Sequence, residues 1–424
     1  MAQPMPALLL GVALCLCCLS ALLPWCTAAS YGGNGGSGKP LVTAITKDAA
    51  TKLYTAPLKD GHPLVLDLSG PLIWSTCPPK HPSYECHHHV CAHAHAYHPP
   101  DCPRTGHGVA DEDDPFRCKC TAHPYNPIAR KSGSGDLTRV TVTANDTDGK
   151  NPLHPVSFPA VAACAPHSLL ANLPAAAVGV AGLARSRVSL PAQAARAQKV
   201  AIKFALCLPS GGGGQGVAIF GGGPLFLLPP GRPDVTTTLA GTTPLRRNPG
   251  KPGYFVSAKG IAVNQEQVQL PGPVAIGLSS RIPYTELQGD LYGPFVKAFD
   301  KATAGRKRVT PAVEPFELCY DSRELGSTRL GYAVPQVDLM LEGSANWTVF
   351  GANSMVQVND NTACFGFVKM AKEEEKVAPA VVLGGFQMEN NLLAFDEEMK
   401  QLGFSSLLFG RQTTCSNFNF TLGA

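Results

Sequence analysis

The residue of this chain best placed to do chemistry is a carboxylate at the end of an apolar run. In Leu64-Val65-Leu66-Asp67-Leu68-Ser69-Gly70-Pro71-Leu72-Ile73-Trp74, Asp67 follows strand-forming residues and precedes a Ser-Gly-Pro turn. About two hundred residues later, Val274-Ala275-Ile276-Gly277-Leu278-Ser279-Ser280-Arg281-Ile282-Pro283-Tyr284 has the same shape, with Gly277 read at the position of Asp67. Two carboxyl groups about 3 Å apart can share one proton, so that one activates a water while the other protonates a carbonyl. Asp67 supplies one of the two, and Gly277 supplies nothing. Glu286 and Asp290 lie nine and thirteen residues beyond Gly277, on the next loop or helix, where they are badly placed to complete such a pair. The chain is expected to hold half of a dyad.

A second group of reactive types is crowded into one stretch. His81, His87, His88, His89, His93, His95, His98, His107 and His123 are nine of the twelve histidines, and Cys86 and Cys91 lie among them. Imidazole and thiolate are zinc and copper ligands. No His-x-Glu-x-x-His spacing is present, and Pro82, Pro99 and Pro100 argue against a helix there. The expected reading is a surface loop tied down by disulfides, with no metal and no cofactor. Below about pH 6.5 its histidines would become cationic. Asp111-Glu112-Asp113-Asp114 reads as a solvated loop without the alternating spacing of a calcium loop, and Glu373-Glu374-Glu375-Lys376 as an exposed turn.

The elements that must position these groups are mostly strands. Residues 41–53 alternate, and Leu137 to Ala144 is a period-2 strand with Thr and Arg on one face. Ser189-Leu190-Pro191-Ala192-Gln193-Ala194-Ala195 reads as a short helix with Pro near its start, and 291–304 as a longer one. Gly221-Gly222-Gly223 and the Pro-rich run to Pro233 mark a hinge. The 43 Gly and 38 Pro favour strands and loops throughout. A length of 424 residues suffices for two domains, each with its own core. Lys and Arg exceed Asp and Glu by only four and form no basic stripe, which disfavours a nucleic-acid partner.

Residues 7–25 are almost entirely apolar and end in Cys26-Thr27-Ala28-Ala29-Ser30, the pattern of a secretory leader. No other stretch approaches the ~18 apolar residues of a membrane span, so a secreted chain without a membrane partner is expected. Cys15, Cys17, Cys18 and Cys26 would leave with the leader. Cys77, Cys86, Cys91, Cys102, Cys118, Cys120, Cys164, Cys207, Cys319, Cys364 and Cys415 remain, enough for five disulfides and one odd thiol. Asn145, Asn346 and Asn419 open three glycosylation sequons.

Several motifs in fixed order carry a family resemblance. They include residues 66–77 (Leu-Asp-Leu-Ser-Gly-Pro-Leu-Ile-Trp-Ser-Thr-Cys), Pro124-Tyr125-Asn126-Pro127, Ala162-Ala163-Cys164-Ala165-Pro166 and Gly179-Val180-Ala181-Gly182-Leu183-Ala184. Ala218-Ile219-Phe220-Gly221-Gly222-Gly223-Pro224, Leu318-Cys319-Tyr320-Asp321 and Leu383-Gly384-Gly385 complete the set. From about residue 41 to 415 the chain resembles the pepsin-like plant proteins of the TAXI-type xylanase inhibitor and basic 7S globulin group. The resemblance implies an all-β, bilobal fold with a cleft between lobes. It divides the chain into a leader (1–29), an N-terminal lobe (30–215) and a C-terminal lobe (216–424). It also implies Cys319–Cys364 and Cys207–Cys415 bridges, with three bridges and a leftover among the seven cysteines from 77 to 164.

By the same resemblance the protein is a secreted aspartic-protease homologue without catalysis, a pseudoenzyme that binds and inhibits glycoside hydrolases such as microbial xylanases in plant defence. An aspartic endopeptidase and a storage or signalling globulin are the alternatives. Asp67 is then vestigial. The loops at 284–292 and 407–414 are the expected contact surface, with Leu287, Phe409 and Arg411 as contact residues. Inhibiting relatives aim a histidine from that last loop at their target's carboxylates. Here the loop holds Phe409 and Arg411 instead.

Overall fold

Asp67 ends the strand His62–Asp67, which lies within a sheet of thirteen strands. The computed structural model describes residues 38–96, 118–270, 272–343 and 346–423. The fold is all-β and pepsin-like in character, with two large sheets that reuse one local plan.

In the thirteen-stranded sheet, Leu41–Lys47 pairs antiparallel with both Tyr54–Lys59 and Gly216–Phe220. Lys203–Cys207 joins Gly216–Phe220 to Leu392–Asp396, so strands from both ends of the chain share one sheet. The boundary expected after residue 215 therefore falls within a hairpin, and Gly216–Phe220 belongs with the N-terminal strands. Gly221, Gly222 and Gly223 follow with φ of 104°, 77° and 102°, a left-handed run that L side chains rarely adopt. The second sheet has nine strands and is organised around Lys251–Val263 and Val274–Leu278.

Local sequence accounts for much of this. Gly135–Thr147 is a strand of 13 residues in which Val140 and Val142 are buried while Arg139 and Thr141 face solvent, the alternation a half-buried strand requires. Leu190–Gln198 is a helix with Pro in its first turn, where a missing N–H costs nothing. Gly289–Ala302 buries Leu291, Tyr292, Phe295 and Phe299 along one face, at helical spacing. Phe204 and Phe395 stack with centroids 4.5 Å apart, and Tyr254 packs on both, which ties the two halves through one aromatic cluster.

The histidine-rich stretch contains a helix, His89–Ala94, contrary to expectation. His88 caps it by accepting the Val90 N–H on Nδ1 at 3.3 Å, and Cys91 anchors it through a disulfide to Cys120. The other bridges join Cys77 to Cys164, Cys86 to Cys118, Cys207 to Cys415 and Cys319 to Cys364. Cys102 lies outside the described residues, as do His98, His107 and Asp111 to Asp114.

Candidate functional site

Asp67 sits where His62–Asp67 runs parallel to Gly179–Gly182, with Leu66 opposite Ala181 and Asp67 opposite Gly182. Its side chain is almost fully buried, and Oδ1 accepts the Ser69 N–H at 2.8 Å. A Cβ on Gly70 would come within 3.0 Å of Asp67 Oδ2 and 3.1 Å of the Gly182 Cα, so only glycine leaves the carboxylate room.

The second half repeats the arrangement. Val274–Leu278 runs parallel to Val381–Leu383, with Gly277 opposite Val382 and Leu278 opposite Leu383. One step further in that register, Ser279 stands at Gly384 as Asp67 stands at Gly182. Two more contacts agree. Ser279 Oγ accepts the Arg281 N–H at 3.2 Å, the same two-residue loop that Asp67 makes with Ser69. A Cβ on Gly182 would strike the Leu72 carbonyl oxygen at 2.5 Å, and one on Gly384 the Tyr284 carbonyl oxygen at 2.6 Å. The counterpart of Asp67 is therefore Ser279, and the assignment to Gly277 is corrected by two residues. Gly277 lies inside the strand, where a Cβ would meet Pro379 Cγ at 3.0 Å and Phe255 Cε1 at 3.3 Å.

Ser280 reaches across the molecule. Its hydroxyl donates to the Leu66 carbonyl at 2.7 Å and accepts the Leu68 N–H at 3.1 Å, gripping both sides of Asp67. The matching position on the other segment is Leu68, which returns no such bond. Half of a two-fold grip survives, enough to hold the two turns against each other.

What faces Asp67 is a cation. Arg281 Nε lies 3.6 Å from Asp67 Oδ1, buried and without a hydrogen-bond partner. Leu72, Trp74, Tyr125, His123, Asp67 and Arg281 help to line a cavity of about 150 Å³. Glu286, half-buried on the strand Thr285–Leu287, has its pKa raised by burial, with Arg130 and Arg281 acting in the opposite direction. The hairpin that contributes Tyr125 to the cavity is fixed at its base. Asn126 donates to the Leu169 and Ala171 carbonyls at 2.7 and 2.8 Å and accepts the Ile128 and Ala129 N–H groups, while the Trp74 indole donates to the Tyr125 carbonyl at 3.1 Å.

Other expected site residues fall elsewhere. Leu287 is 1% exposed, held between two strands, and cannot meet a partner. Phe409 is half-buried in the turn Leu408–Arg411. Arg411 is folded back on the Thr238 hydroxyl and carbonyl, so it does not project. Asn346 is exposed, while Asn145 and Asn419 are half-buried. His81, His87 and His95 each lie beside a disulfide, whose sulfurs are not thiolate donors. The Glu375 carboxylate was missed by sequence reasoning. Instead of facing solvent, it accepts the Gly289 N–H at 2.7 Å at the start of the helix Gly289–Ala302.

The family models for the xylanase inhibitor N-terminal and C-terminal domains match residues 54–222 and 253–406. The chain belongs to this TAXI-type family of pepsin-like proteins. It is 69% identical to a rice (Oryza sativa subsp. japonica) protein named chitinase CLP, over 98% of this chain and 99% of that one. It is 33% identical to gamma conglutin 1 of Prunus dulcis, over 90% of this chain and 89% of that one. Among solved structures, edgp superposes with a TM-score of 0.81 at 33% identity, covering 92% of this chain and all of that one. Soybean basic 7S globulin superposes at 0.73 and 27%, covering 90% of this chain and all of that one.

Proposed function

We propose that this chain is a secreted, peptidase-inactive member of the family that binds and inhibits glycoside hydrolases such as xylanases, in plant defence. The observation that carries the inactive part is the pair facing the cleft, Asp67 against Arg281 with Ser279 at the second position. A shared-proton dyad needs two carboxyl groups, and a guanidinium beside the first holds it as an ion pair instead. The hairpin pinned through Asn126 is also a poor lid for a peptide substrate. The inhibitory part is supported by the family match across both halves. The test is a titration of secreted xylanases and chitinases with the purified chain, beside a casein assay at acid pH. Tight inhibition without proteolysis supports the reading. Casein cleavage that disappears in Asp67→Ala overturns the first part, and no inhibition of any hydrolase favours a storage or signalling globulin.

A second reading is hydrolysis of chitin by this chain itself. It is favoured by Asp67 and Glu286, two carboxyl groups that both sense Arg281, together with the name of the rice relative. Glycosidases divide the work between a carboxyl kept protonated and one kept ionised. Glu286, whose pKa burial raises, suits the acid, and Asp67, with Oδ1 3.6 Å from Arg281 Nε, is the second carboxyl group. Release of sugar from chitin oligomers, lost in both Glu286→Gln and Asp67→Asn, would establish it.

A further inference from the structure

Two arginines converge at the turn before the final disulfide. Arg232 Nη1 donates to the Arg411 carbonyl, and Arg411 Nη1 and Nη2 donate to the Thr238 hydroxyl and carbonyl. All of these acceptors are neutral. Arg232 Nε is buried and makes no hydrogen bond, and among the described residues neither guanidinium pairs with a carboxylate. Asp234, two residues from Arg232, has its Oδ1 committed to the Leu225 and Thr236 N–H groups at 2.8 and 2.9 Å. Two adjacent cations without an ion-pair partner, one with a buried unused N–H, are an arrangement that an anion would complete.

The two arginines, with Leu227, Pro233, Val235 and Thr413, line a cavity of about 340 Å³. That volume lies near the small end of the range of ligand pockets, roughly 300–1,000 Å³. The walls are firm. Cys207 bridges to Cys415, the Thr413 hydroxyl donates to the Leu228 carbonyl at 2.7 Å, and Asp234 caps the short helical turn Val235–Thr237. Guanidinium forks match the plane of a carboxylate, and Leu227 and Val235 offer an apolar wall for the C–H face of a ring.

From this arrangement we infer that the Arg232–Arg411 cavity is a binding site for a sugar carboxylate, a single hexuronate ring with its carboxylate on the guanidinium groups. Arg411, expected from sequence to project toward a partner's carboxylates, acts here as one wall of the cavity. The inference does not depend on the reading of the Asp67 cleft.

Calorimetric titration of the full mature chain with sodium D-glucuronate, D-glucose and inorganic sulfate tests it. Saturable binding of glucuronate is expected, with none of glucose. Raising the ionic strength should weaken binding, and Arg232→Gln should weaken it at least tenfold while leaving the thermal melting transition cooperative. Arg232 donates to only one carbonyl, so its loss should be tolerated. The wild-type comparison stands even if the variant does not fold. No saturable glucuronate binding, equal binding of glucose, or binding of sulfate alone would each overturn the assignment.

Discussion

Ser279 stands to Gly384 as Asp67 stands to Gly182, so the cleft faces a hydroxyl and a carboxylate where a shared-proton dyad needs two carboxylates. Arg281, two residues past Ser279, then places Nε 3.6 Å from Asp67 Oδ1. At the two dyad positions stand Ser279 and Asp67, and Asp67 faces a cation. Restoring only the missing acid should therefore fail. Ser279→Asp is expected to leave casein uncleaved at acid pH, and so is Gly277→Asp, whose side chain would press on Pro379 and Phe255. Peptidase activity in Ser279→Asp with Arg281 intact would show that the cation does not block the site.

The ion pair should also contribute to stability. Breaking a buried pair by removing one partner typically costs 3–5 kcal/mol, but Arg281 is partly exposed, so the expected loss in Arg281→Leu is smaller, about 1–2 kcal/mol. Urea denaturation near neutral pH measures it. Asp67→Asn in the Arg281→Leu background should recover part of the loss, because the buried charge is then gone. A larger loss in the double variant than in Arg281→Leu would mean that Asp67 is held by something other than Arg281.

What the sequence made legible was local. Asp67 and its Ser-Gly-Pro turn, the alternation of 137–144 and the Pro-initiated helix at 190 all depend on neighbours within a few residues. Ser279 was misread because the strand's apolar run was counted from its start, while its register is set by Val381–Leu383, a hundred residues away. Anchoring the count on the Val-Leu-Gly-Gly segment would have found it. Leu287 and Arg411 were misread for a related reason. A strand between two others looks like any short apolar stretch, and an arginine folded back on Thr238 looks like one that projects. The helix His89–Ala94 is short and rich in histidine, and it depends on the His88 cap and the Cys91–Cys120 bridge more than on propensity.

A buried acid that does not line the Asp67 cavity gives a pH signature. Glu389 is 2% exposed and lies between Lys47 Nζ and the Tyr54 hydroxyl. Burial raises its pKa from 4.5, with Lys47, Tyr54 and Lys52 opposing the shift. Between 4.5 and the raised folded value, the folded chain holds a proton that the unfolded chain has released. Stability from this group is thus present at low pH and falls as pH rises through that window. Glu389→Gln keeps an acceptor for Tyr54 and cannot titrate. Denaturation midpoints measured from about pH 4.5 to 7.5 should decline less steeply in the variant; parallel declines would refute the assignment.

Cysteine accounting gives a chemical test. Ten of the eleven cysteines beyond residue 30 are paired, which leaves Cys102. Thiol counting on the unreduced mature chain should find one reactive group per molecule, mapping to the peptide that contains Cys102. The Cys207–Cys415 bridge closes a loop of 208 residues, and its removal should cost about 5 kcal/mol by the chain-entropy account. Two or more free thiols would mean that one of the five bridges is not formed in the purified protein.

Any inhibition should run through the last loop, and the geometry narrows how. Leu287 is inside the core and Arg411 is bound to Thr238, so Phe409, Gly410 and Gln412 are what the turn presents. None of them carries a charge to meet a glycosidase's catalytic carboxylates. A hydrogen bond from a histidine to such a carboxylate contributes roughly 1.5–3 kcal/mol, so Phe409→His should tighten inhibition by about one to two decades. The backbone there is preset, because Gln412 ends the turn with φ of 55° and Cys415 ties it to Cys207, so a new side chain at 409 need not reorder the loop. The measurement is a titration of a secreted retaining xylanase with wild type and variant in parallel. Equal nanomolar inhibition by both would move the contact surface away from this loop altogether.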